Sequence, residues 1–108
     1  MTKELVKDFI WHRAQAIPGV NPDKVRLDYA GAIIHWDEFE KEGAYGWVCL
    51  PIQPVSKGGN NDFMSLIPWH HQNAKAKNED FPYYRTVLSS KDGVNVEQSQ
   101  EWCFMQKL

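Results

Sequence analysis

The sequence predicts an α+β domain: an amphipathic helix at the N-terminus, a strand, loop, strand and helix in the middle, and a β-hairpin at the C-terminal end. Three observations carry this expectation. Apolar residues near the N-terminus recur at three-and-four spacing, β-rich central runs flank a Gly-Gly loop before a stretch of helix formers, and an Asp-Gly pair separates two late β-rich runs. With 108 residues and 43% hydrophobic content, residues 1–108 suit one core and leave no room for a second.

The first helix is expected over about residues 3–16, capped by Thr2, with Leu5, Val6, Phe9, Ile10 and Ala14 on its apolar face. Pro18 and Gly19 end it. Asn21 followed by Pro22 is a helix-start signal and predicts one short turn. A strand is expected in GAIIHW, residues 31–36, and Asp37 can cap another short helical turn before Gly43.

YGWVCLPI, residues 45–52, is rich in aromatic and β-branched residues and predicts a strand. Pro51 removes a backbone donor and restricts that strand to an edge or bulge. QPVSKGGNND, residues 53–62, is a loop in which Gly58 and Gly59 can adopt angles closed to other residues. FMSLIPW returns as the partner strand, and residues 70–77 form a helix closed by Asn78. Asp92-Gly93 then predicts a tight hairpin. The final EWCFMQKL could continue a strand or turn helical.

No apolar run approaches the roughly 18 residues of a membrane span, and MTKELVKDF lacks the apolar stretch of a signal peptide. A cytoplasmic location away from membranes is therefore expected. Cys49 and Cys103 form no CxxC pair and are expected to be small buried apolar residues. The net charge of -2 argues against strong non-specific binding to nucleic acid. Its distribution is uneven: Asp37, Glu38, Glu40 and Glu42 crowd one stretch, whereas HHQNAKAK is locally basic.

The ordered series RLDYAGA (residues 26–32), YGW (45–47), IQPVSKGG (52–59), SLIPWHHQNAKAK (65–77) and EDFP (79–82) resembles the HNH endonuclease family, in a small bacterial and phage-associated branch. The resemblance runs in unbroken order over about three quarters of the chain and implies a ββα-metal (HNH-like) core with an added N-terminal helix and a C-terminal β-hairpin. It also implies metal-assisted phosphodiester hydrolysis, in which a carboxylate and an Asn or His hold a divalent cation and a histidine activates water.

Placed on that pattern, the metal Asp falls on Leu50, the general-base His on Pro51, the supporting Asn on Ser65 and the second ligand on Ala74. Leu and Ala carry no side-chain ligand atom, and Pro carries no basic nitrogen. By contrast Trp47, Gly58, Gly59, Leu66, Pro68, Asn73 and Lys77 match positions that shape strands, turn the loop or pack the helix. The resemblance thus implies a catalytically inactive HNH-like protein that acts as a binding or regulatory module, without a cofactor.

The partner would be a protein or a nucleic acid, touched by Lys57, His70, His71, Asn73, Lys75 and Lys77. Trp11, Trp36, Trp69 and Trp102 exceed what a small core needs and suggest an exposed aromatic contact or a homodimer. The competing expectation is a divergent endonuclease that cleaves DNA with a relocated divalent-metal site around His70, Asp62 and Asn73. His35 and Asp37 could share a strand face, but a cap and a half-buried polar residue explain them; His12 reads as a surface or interface residue.

Overall fold

The computed structural model describes residues 3–104 and is a mixed α+β structure of two helices and three small antiparallel sheets. Thr2, the expected cap, and the last four residues lie outside the described part. Among the described residues, no helix is long and apolar enough to cross a membrane.

Helix α1 spans Lys3–Trp11 and is shorter than its periodicity predicts. Tight turns follow at once, with Arg13 N–H donating to Ile10 O and Ala14 N–H to Trp11 O. Ala14, Gln15 and Ala16 are good helix formers, but Gln15–Ala16 forms β1 and pairs with β2, Val25–Leu27. Tertiary pairing overrides propensity here. Arg26 secures the exchange: its guanidinium donates to Ala14 O and Pro22 O, both at 2.9 Å, and tethers the turn after the helix to the start of β2. Asn21 organises that start, its side chain accepting from Asp23 N–H at 3.0 Å in a turn rather than a helix.

Strand β3, Ile33–His35, completes the first sheet. Residues Trp36–Glu38 make a 3-10 turn whose cap is His35, without a side-chain cap bond. Asp37 therefore lies inside the turn and does not cap it. The buried core joins Trp11, Ala14, Ile34 and Trp47, with Trp36, Phe39 and Cys49 packed against it. Each buried indole also finds an acceptor: Trp11 donates to Pro22 O, Trp47 to His35 O and Trp69 to Leu50 O.

Trp11 and Trp69 are thus core residues and offer no exposed aromatic contact. Trp36 is half-buried beneath the Lys7 ammonium, and half-buried Trp102 donates to the buried Thr86 hydroxyl at 2.9 Å. Cys49 is half-buried as well, whereas Cys103 is exposed, contrary to the expectation that both are buried.

Strands β4, Trp47–Pro51, and β5, Leu66–His70, form the second sheet, with Cys49 opposite Pro68 and Pro51 opposite Leu66. A two-stranded sheet tolerates both prolines because each strand has an unpaired edge. Helix α2, His71–Lys77, follows β5 directly, and Asn78 at φ 51° closes it. The third sheet is the hairpin of β6, Tyr83–Lys91, and β7, Val94–Cys103. Asp92 and Gly93 both have positive φ, as its two-residue turn requires. Of the two conformations left open for the C-terminal segment, the chain takes the strand as far as Cys103.

Candidate functional site

The second sheet, its connecting loop and α2 enclose a cavity of about 320 Å³. Strand β4 supplies Leu50 and Pro51, the loop supplies Pro54, Val55 and Asn61, and β5 supplies Trp69. Ala74 and Lys77 come from α2, with Asn78 and Glu79 after it. The loop holds this shape by folding on itself: Lys57 and Gly59 N–H both donate to Pro54 O, and Gln53 Nε2 donates to Lys57 O at 2.7 Å. At Gly59 an added Cβ would come within 1.9 Å of Gln53 O, so that position needs glycine.

Leu50, Pro51 and Ala74, three positions singled out in the sequence, therefore meet at one cavity. The fourth, Ser65, lies in a 3-10 turn where its hydroxyl donates to Asn60 Oδ1 at 2.9 Å. None of the three that meet carries a metal-ligating or basic side chain. Among the described residues no group of three or more His, Cys, Asp or Glu could hold a metal ion. Leu50 and Val55 stay 41% and 55% exposed, so the cavity mouth is apolar and open to solvent.

Lys77 is 3% exposed and donates to Asp80 O at 3.0 Å, with its ammonium 4.9 Å from the Tyr84 ring centre. Burial lowers its pKa, and the Asp80 charge opposes that shift. Lys77 is a wall of the cavity and not a surface cation. His70 and Asn73, 1% and 0% exposed, are equally unsuited to the external contact expected of them. Helical spacing places Asn73 and Lys77 on the inward face of α2, which explains all three corrections together with the strand-to-helix junction at His70.

Asn73 is fully engaged. Its Nδ2 donates to Asp28 Oδ2 at 3.0 Å and to Leu88 O at 2.9 Å, while its Oδ1 accepts from Val87 and Leu88 N–H. The ladder of β6 and β7 shifts register between Thr86 and Leu88, and Asn73 satisfies backbone groups at that bulge. Asp28, 3% exposed, accepts further bonds from Ala30, Ala32 and His70 N–H. Burial raises its pKa, although these four hydrogen bonds favour the carboxylate. One carboxylate and one amide thereby tie the first sheet, β5, α2 and β6 together.

His70 is committed too. Its Nδ1 accepts from Gln72 N–H at 3.1 Å, capping α2, so the proton sits on Nε2, which donates to Ala44 O at 2.8 Å. Burial lowers its pKa. A relocated metal site at His70, Asp62 and Asn73 thus lacks free ligand atoms on two of its three members; Asp62 is exposed in the loop.

The remaining candidates lie as follows. Lys57 and Lys75 are exposed, and His71 is half-buried with Nε2 donating to Gly43 O at 2.8 Å. His35 stacks on Tyr45 at 4.0 Å and approaches Glu38, not Asp37, at 3.7 Å. His12 is exposed, its Nδ1 donating to Asp8 O.

Sequence reasoning overlooked Asp28 as a structural hub, although an Asp two residues before an Ala-Gly turn is the pattern of an Asx turn. Asn95 was overlooked as well: its amide accepts from Ile33 N–H at 2.6 Å and donates to Ile33 O at 3.1 Å, pairing across 62 residues with no local signal. Compared with known protein families, characterised proteins and solved structures, the chain gives no match.

Proposed function

We propose that this chain is an HNH-type ββα domain in which an apolar cleft has replaced the hydrolytic centre, and that it works as a binding or regulatory module. The observation that supports this reading is the convergence of Leu50, Pro51 and Ala74 on one cavity with Pro54, Val55 and Trp69. The strand, loop, strand and helix that carry these residues have the order of a ββα unit.

The chemistry of the cleft favours a protein partner over nucleic acid. Phosphate recognition needs exposed cations, but of the basic candidates Lys77 and His70 are buried, while Lys57 and Lys75 remain at the surface. An apolar socket with a polar margin of Asn61, Asn78 and Glu79 suits an aliphatic or aromatic anchor from another protein, including a second copy of this chain.

A cleavage assay tests the loss of chemistry. Purified protein incubated with supercoiled plasmid, single-stranded DNA and RNA, each with magnesium, manganese, nickel or zinc, is expected to leave every substrate intact. Chelator-sensitive cleavage that disappears in Asp62→Ala, a substitution at an exposed loop position, would overturn the reading.

A further inference from the structure

Three histidines from two stretches of sequence, His35 and the pair His70–His71, close on one short segment, residues 43–46. His70 Nε2–H donates to Ala44 O and His71 Nε2–H to Gly43 O, both at 2.8 Å. His35 N–H donates to Tyr45 O at 3.1 Å, and its ring stacks on Tyr45 with planes 8° apart. His71 N–H completes the set by donating to Gly46 O at 3.0 Å. All four successive carbonyls of the segment thus accept from histidine donors, two of them imidazoles. The segment is seated tightly, because a Cβ at Gly46 would come within 1.7 Å of Lys41 O.

The two imidazoles do not respond alike to a proton. His71 can gain one on Nδ1 and keep its bond to Gly43, since Nε2–H is already the donor. His70 cannot gain one without loss. Its Nδ1 lone pair accepts from Gln72 N–H, so a proton there sets two donors against each other 3.1 Å apart and removes the cap of α2. The His71 ring, stacked at 4.6 Å, adds like-charge repulsion. The bond to Ala44 O, Asp28 just after β2 and Glu38 on the 3-10 turn favour the charged form of His70, but burial is the largest influence and favours the neutral one.

We infer that His70 is an acid-released cap: protonation at Nδ1 uncaps α2 at Gln72, while Nε2–H keeps its bond to Ala44 O and the sheets stay folded. Ala74, on the next turn of α2, belongs to the cleft wall, so release also loosens that wall. The sign follows from linkage. Because the fold favours neutral His70, its contribution is complete above the ordinary histidine value of about 6.5 and is lost as pH falls toward and through the lowered folded value.

The test is an NMR titration of the whole chain from pH 8 to 5, recording imidazole tautomers and amide protection factors. His70 is expected as the Nε2–H tautomer at pH 8. Between about 6.5 and the lowered folded value, protection at Gln72 should fall by up to about tenfold per pH unit, the slope of a single proton, and level off below it. Protection at Thr86 and Leu88 in the hairpin should hold over the same range. His70→Asn retains an oxygen that can cap Gln72 but does not titrate, so it should make protection at Gln72 independent of pH. His71→Gln, which leaves His70 in place, should keep the pH dependence and shift it to higher pH by removing the like charge. An Nδ1–H tautomer at pH 8, unchanged protection down to pH 5, simultaneous loss in the hairpin, or an unaltered pH profile in His70→Asn would each overturn the inference.

Discussion

Replacing Asn73 with alanine would strip four hydrogen bonds from the point where the first sheet, α2 and the hairpin meet. Two backbone N–H donors, of Val87 and Leu88, lose their acceptor, Leu88 O loses a donor, and the buried Asp28 carboxylate loses one of its four. A neutral bond contributes about 1 kcal/mol and one to a charged group about 1.5–3 kcal/mol, so the expected loss is about 3–7 kcal/mol. Water cannot readily compensate, because Asn73 is completely buried. Domains of this size are stable by about 5–15 kcal/mol, so the substitution brings the fold near its limit. In urea, with a slope of about 1.5 kcal/mol per M, the midpoint should fall by about 2 M or more. Lys75→Ala, on the exposed face of the same helix, should change stability by no more than about 0.5 kcal/mol. A shift below about 0.5 M for Asn73→Ala would refute the argument that this amide joins the three elements.

Other consequences are equally specific. Arg26→Met removes the donors to Ala14 O and Pro22 O and should cost about 2–4 kcal/mol in thermal denaturation; a loss under about 0.5 kcal/mol would show that the turn after α1 holds without it. Burial, with the Glu40 charge adding to it, pushes the Cys49 thiol up to about 12, so at pH 8 a thiol alkylator should modify exposed Cys103 well before Cys49. Mass spectrometry of the labelled peptides decides this, and equal rates would contradict the packing described around Cys49. Ala74→Leu should fill part of the cleft at a cost below about 2 kcal/mol, because the space is open on one side. A larger loss on urea denaturation would mean that the cavity cannot accept added atoms.

The elements most legible in the sequence are those set by local backbone chemistry. Asp92-Gly93 specifies a two-residue turn through its φ requirement, and Gly58 at φ 89° turns the loop as its position suggests. The helix from His71 and its closure at Asn78 follow from good helix formers and a residue that tolerates positive φ. Poorly legible were the features settled between distant stretches. The end of α1 depends on pairing with β2 and on Arg26, neither of which alters the apolar spacing that suggested a longer helix. The burial of His70, Asn73 and Lys77 depends on a first sheet and hairpin that cover α2, so a basic, polar stretch was read as surface. The juxtaposition of Leu50, Pro51 and Ala74 was foreseen only through the resemblance, because no periodicity relates a strand residue to a helix residue 24 positions later.

The proposed exchange of catalysis for binding is tested most directly at the cleft mouth. A photo-reactive phenylalanine analogue in place of Val55, with a second version in place of exposed Val20 as control, can be irradiated in extract from the native host and its adducts identified by mass spectrometry. A single protein species, or a second copy of this chain, is expected at position 55, absent at position 20 and abolished by Ala74→Leu. Adducts that are the same at both positions, that survive Ala74→Leu, or that consist of nucleic acid would contradict it.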